Sequence, residues 1–64
     1  MNVTITIRTD NAAFEGRTRA EIADILRKIA KSLDYGDGDI LNEDTRLPAV
    51  DCNGNTVGFL TVKE

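Results

Sequence analysis

The sequence predicts a single α+β domain spanning residues 1–64, a two-layer βαββ arrangement with one helix packed on a three-stranded antiparallel sheet. Three observations predict it. Thr18 to Leu33 carries apolar residues at Ile22, Ile25, Leu26, Ile29 and Leu33, spacings of three and four that draw one stripe along a helix. Val3, Ile5 and Ile7 alternate with Thr4, Thr6 and Arg8, the period-two pattern of a strand buried on one face. Asn53-Gly54 stands between two β-rich runs, the strongest short-range hairpin signal.

The first strand is expected from about Asn2 to Thr9, ended by Asp10 and Asn11, with Phe14 tucking under the helix as a core anchor. Thr18 and Glu21 have the spacing of a capping box, in which hydroxyl and carboxylate satisfy free amide groups at the helix start. Glu21 and Asp24 sit toward the positive end of the helix dipole, Arg27, Lys28 and Lys31 toward the negative end, and Asp24 and Lys28 form an i,i+4 pair. Gly36 is the expected C-terminal stop, because glycine takes the left-handed conformation without steric cost.

After an acidic, glycine-containing segment the strand pattern returns at Arg46. With Asn53 and Gly54 as the two residues of a type I′ turn, Val50 faces Val57 and Leu47 faces Leu60. One face of that hairpin holds Val50, Val57 and Phe59; the other holds Leu47, Leu60 and Val62, diluted by Asp51, Thr56 and Gly58. The undiluted face is the expected core face, covered by the helix together with Val3, Ile5 and Ile7. Pro48 cannot donate to a ladder, which marks its strand as an edge. A crossover that leaves a gap for the last strand gives the sheet order 1-3-2.

Sixty-four residues lie near the lower limit for a chain that folds alone. Cys52 is the single cysteine and histidine is absent, which argues against an internal disulfide, a structural zinc site and an extracellular setting. The amino terminus alternates instead of presenting an apolar run, so no signal peptide is expected, and no run approaches the roughly 20 residues of a membrane span. The expected location is cytoplasmic, with no membrane partner. Without histidine the commonest general base is missing, Ser32 has no base beside it, and Cys52, which needs an electropositive setting to be nucleophilic, has Asp51 as its neighbour. No enzyme, cofactor or metal site is expected.

Charge is unevenly placed. Residues 34–44 read DYGDGDILNED and carry −5; since the whole chain carries −3, the remainder carries +2. Asp37 and Asp39 have the spacing that opens an EF-hand, but Leu41 and Asn42 fail its fifth and sixth positions, leaving only an irregular calcium site at Asp34, Asp37, Asp39 and Asp44 as an alternative. The carboxylates repel phosphate, and the basic residues on the helix lack interleaved aromatics, so no direct nucleic-acid binding is expected. An array of carboxylates can instead compete for a groove that recruits phosphates with Lys and Arg.

At TDNAAFEG (Thr9 to Gly16), ADILRKIAKSL in the helix and DCNGNTVGFL (Asp51 to Leu60), the chain resembles a group of very small proteins encoded by bacteriophages and prophages, mostly of unassigned function. The resemblance covers most of the chain outside the acidic segment and carries no catalytic signature. It is similar in type to anti-CRISPR inhibitors, several of which mimic DNA. The resemblance therefore implies an inhibitor in a bacterial host cell that blocks the basic groove of a host protein or ribonucleoprotein complex. The candidate partner-binding residues are Asp34, Asp37, Asp39, Glu43, Asp44 and Glu15, with Asp10 adjoining. The alternative is a structural or regulatory module, a monomer or weak homodimer joined through exposed sheet surface, whose acidic segment serves solubility.

Overall fold

The computed structural model of the chain describes residues 1–36 and 41–63. Strand β1 runs Asn2–Ile7, a short 3-10 turn covers Ala12–Phe14, helix α1 runs Thr18–Asp34, and strands β2 and β3 run Arg46–Val50 and Thr56–Lys63. The three strands form one antiparallel sheet in the order β1-β3-β2, the order expected from sequence. Helix α1 lies on one face of that sheet, packed chiefly against β2 and the 3-10 turn. Among the described residues no helix is long and apolar enough to cross a membrane.

The helix ends differ from expectation in their chemistry. Thr18 makes no capping box: its hydroxyl donates to the Phe14 carbonyl at 3.0 Å, and Arg17 occupies the cap position with no side-chain cap bond. Glu21 is drawn elsewhere, as described below. Asp24 pairs with Arg27 at 2.9 Å and Arg17 at 3.4 Å in place of Lys28, whose ammonium donates to the Val50 carbonyl at 3.4 Å. At the far end Tyr35 closes the helix by donating its N–H to Lys31 O, and Gly36 follows without a positive φ. Among the described residues the glycines that use the left-handed region are Gly16, between the 3-10 turn and α1, and Gly54, in the hairpin. Gly36→Ala is accordingly expected to be tolerated. A Cβ there would sit 3.5 Å from Leu33 O and 3.6 Å from Ser32 O, ordinary contacts, so denaturant unfolding should shift by no more than about 0.5 kcal/mol, in the stabilising direction.

The core face of the sheet is the one the sequence pattern disfavoured. Leu47 pairs with Leu60 as expected, but the register shifts between Ala49 and Val50, so that Val50 stands opposite Thr56. This bulge leaves Val57 without a partner on β2 and turns it inward. Val57, Leu60, Val62 and Ala49 are buried with Ile25, Ile29, Ala13 and Phe14, while Leu47, Ile7, Ile22 and Leu41 pack against them half-buried. Phe59 is on the opposite face, half-buried, with the Arg46 guanidinium 3.8 Å above its ring. Val3 and Ile5, paired with Val62 and Leu60, do point to the helix side, yet remain exposed.

The hairpin loop also departs from a two-residue type I′ turn. Gly54 N–H donates to Asp51 O at 3.1 Å and Asp51 N–H to Asn55 O at 2.9 Å, which makes Cys52, Asn53 and Gly54 a three-residue loop. Only Gly54 has positive φ, +85°, and Asn53 does not, as this loop class requires.

Candidate functional site

Among the described residues two carboxylates are fully withdrawn from solvent, Glu21 at 0% and Asp51 at 1% exposure. A buried carboxylate is costly unless hydrogen bonds replace its water. Asp51 Oδ1 accepts the backbone N–H groups of Asn53 and Asn55, each at 2.9 Å, and Oδ2 accepts the Asn11 amide at 2.8 Å. Asn11 Oδ1 in turn accepts the Ala13 N–H at 2.9 Å, capping the 3-10 turn. Glu21 Oε2 accepts the Cys52 N–H at 2.8 Å, and Oε1 is bound by the Arg17 guanidinium. These two side chains therefore fasten the hairpin loop to both the β1–α1 connection and the helix.

The sequence reading missed this knot. Asp at the first position of a turn and Asn before AAF were signals for local loop bonding, but the reach of Glu21 to Cys52, 31 residues away, has no local signature.

Its electrostatics follow from these bonds. The Asn55 amide, helped by Asn11 and Asn53, holds the Asp51 carboxyl below its ordinary 3.8 against the opposing effect of burial. Arg17 is held above its ordinary value, chiefly by its hydrogen bond to Glu21. For Asp51 the folded state binds its proton less readily than the unfolded state. Its stabilisation is thus complete well above pH 3.8, declines once the unfolded form begins to protonate, and is gone below the lowered folded value. In acid titrations followed by circular dichroism, Asp51→Asn should be less stable at neutral pH and should show a shallower loss of stability below pH 4 than the native chain.

Chemically, the knot holds acceptors already filled by donors. Cys52 is exposed and its thiol lies 3.9 Å from Asn53 Oδ1. Among the described residues no group of three or more His, Cys, Asp or Glu side chains is placed to hold a metal ion.

Among the described residues, the expected partner-binding carboxylates make none of the bonds of this knot. Asp34 is exposed in the last turn of α1. Glu43 and Asp44 are exposed on a turn braced by Asn42 and Thr45: Thr45 N–H donates to Asn42 O at 2.9 Å, Asp44 N–H to Asn42 Oδ1 at 2.8 Å, and Asn42 N–H to Thr45 Oγ1 at 3.1 Å. Asp37 and Asp39 lie outside the described residues, and with them the centre of the calcium alternative. Glu15 is exposed at the opposite end of the helix, beyond the 17 residues of α1, which span roughly 25 Å. It does not join the acidic segment. Asp10, exposed beyond the end of β1, is likewise separated in the chain from residues 34–44. Arg27, Lys28, Ala30, Lys31 and Asp34 line a shallow open depression on the outer side of the helix, so Asp34 has cations for neighbours.

Compared with protein-family models, with curated proteins and with solved structures, the chain matches none.

Proposed function

We propose that this chain is a non-catalytic binding protein that presents carboxylates to a basic groove, competing there with nucleic acid by long-range attraction and by occupying the space. The observation that carries this reading is the division of the carboxylates. Glu21, Asp24 and Asp51 are held by arginines or amides of the chain itself. Asp34, Glu43 and Asp44 are exposed, and among the described residues none of them is in a salt bridge. Exposed carboxylates left in no salt bridge, Glu43 and Asp44 above all, raise association rates with a positively charged partner. The narrower form of the proposal is an inhibitor of the phage-encoded type, an anti-CRISPR acting in the bacterial cytoplasm on the nucleic-acid-binding groove of a host effector.

The test is capture from bacterial lysate at low salt, comparing the native chain with one in which Asp34, Asp37, Asp39, Glu43 and Asp44 become amides. The native chain alone should retain a nucleic-acid-binding complex and release it steeply as salt rises. Equal capture by both chains overturns the reading. A second reading, a structural or regulatory module acting as a homodimer, is favoured by the exposed apolar side chains along β1.

A further inference from the structure

The two edges of the sheet are built differently. Strand β2 carries Pro48, the charged Arg46 and the register shift at Ala49/Val50, all devices that discourage further strand pairing. Strand β1 has none of them: Asn2–Ile7 is uncharged, free of proline and in unbroken register with β3. Arg8 N–H donates to Val57 O at 2.8 Å. Because amide direction alternates along an antiparallel ladder, Asn2, Thr4 and Thr6 also turn toward β3, and the N–H and C=O groups of Val3, Ile5 and Ile7 turn outward.

The same edge is lined with uncovered apolar surface. Val3 is 46% and Ile5 41% exposed although both point to the helix side of the sheet. On α1, Glu21 and Lys28 reach toward Cys52 and Val50, so the helix's other flank faces β1; Leu26 and Leu33 remain 41% and 42% exposed. Four of the six exposed large apolar side chains among the described residues, Val3, Ile5, Leu26 and Leu33, thus lie on β1 or on that flank of α1.

We propose that β1 is the pairing edge of a symmetric homodimer, in which a second copy adds its own β1 antiparallel and the two sheets become one of six strands. A two-fold axis perpendicular to the sheet keeps both helix-bearing faces on the same side. Ile5 then stands opposite its own copy, Val3 opposite Ile7 and Arg8 opposite Asn2. This register uses the outward amide groups of all three odd-numbered residues and sets their side chains in one strip between the two helices. Self-pairing brings no like charges together. Residues 41–45 lead into β2, the far edge, which keeps Glu43 and Asp44 of the two copies away from the axis. The dimer does not depend on the acidic reading, since the two use different surfaces.

Light scattering and thermal unfolding over a range of protein concentrations test this. The native chain should have twice its 7.0 kDa mass and melt at higher temperature as concentration rises. Ile5→Pro removes an N–H that points away from β3, so it should stay folded by circular dichroism and run as a monomer. Should that variant fail to fold, cysteine pairing decides. In a Cys52→Ser background Ile5→Cys should oxidise to a covalent dimer, its two Cα atoms about 5.5 Å apart, while Thr4→Cys should not. A native chain that is monomeric at every concentration, or linkage of Thr4→Cys in place of Ile5→Cys, overturns the proposal.

Discussion

Replacing Gly58 with alanine is expected to unfold this domain at moderate temperature. Gly58 pairs with Ile7 on one side and Ala49 on the other, next to the bulge at Val57, and is itself buried. A Cβ built on it falls 1.7 Å from Thr6 O and 2.7 Å from Thr6 C, both backbone atoms that no side-chain rotation can move aside. The added methyl group can be housed only by displacing β1 from β3, which disrupts the ladder that holds β1 in the sheet. The loss should be about 3 kcal/mol or more, lowering the melting temperature by roughly 15 °C in a domain of this size. Calorimetry checks it, with Gly36→Ala as the control that should scarcely move. A Gly58→Ala chain as stable as the native one would mean that β1 does not approach β3 as closely as described.

Leu60→Ala should be the next most damaging change, and far worse than Phe59→Ala. Leu60 is 2% exposed in the centre of the core, where truncation costs about 2–5 kcal/mol including the cavity left behind. Phe59 lies on the other face under Arg46, and its loss removes a cation–π contact and partial burial, about 1 kcal/mol. Urea unfolding of the two variants separates the faces directly. The sequence pattern predicts the reverse ranking, because it counts Asp51, Thr56 and Gly58 against the face of Leu60.

That reversal shows what a pattern of residues can and cannot carry. The helix, the hairpin and the sheet order 1-3-2 were legible because each rests on local spacing or on connection rules: the stripe from Ile22 to Leu33, the Asn-Gly pair, the proline at an edge. The buried face was not, since Asp51, Thr56 and Gly58 count against the side of Leu47, Leu60 and Val62, and the extra residue that adds Val57 to that side leaves no mark in a two-residue period. Glu21 was misassigned for a related reason. Its spacing from Thr18 fits a capping box, but the Cys52 N–H is a donor that only the folded chain brings near. Asp51, which the strand pattern counts as a dilution of an apolar face, proves to be the acceptor around which the loop closes. Of the acidic residues, the pattern identified a concentration of charge. The separation of Glu15 from Asp34 by the length of α1 needed the fold.

Under the proposed function this chain divides its carboxylates between holding the fold and facing a partner. The most direct test is a set of single amide substitutions, each measured by thermal unfolding and by capture of the basic-groove complex at low salt. Glu21→Gln and Asp51→Asn should lower the melting temperature, while Asp34→Asn, Glu43→Gln and Asp44→Asn should leave it unchanged and weaken capture. Stability lost in the exposed set and kept in the buried set would contradict the division, and with it the proposed function.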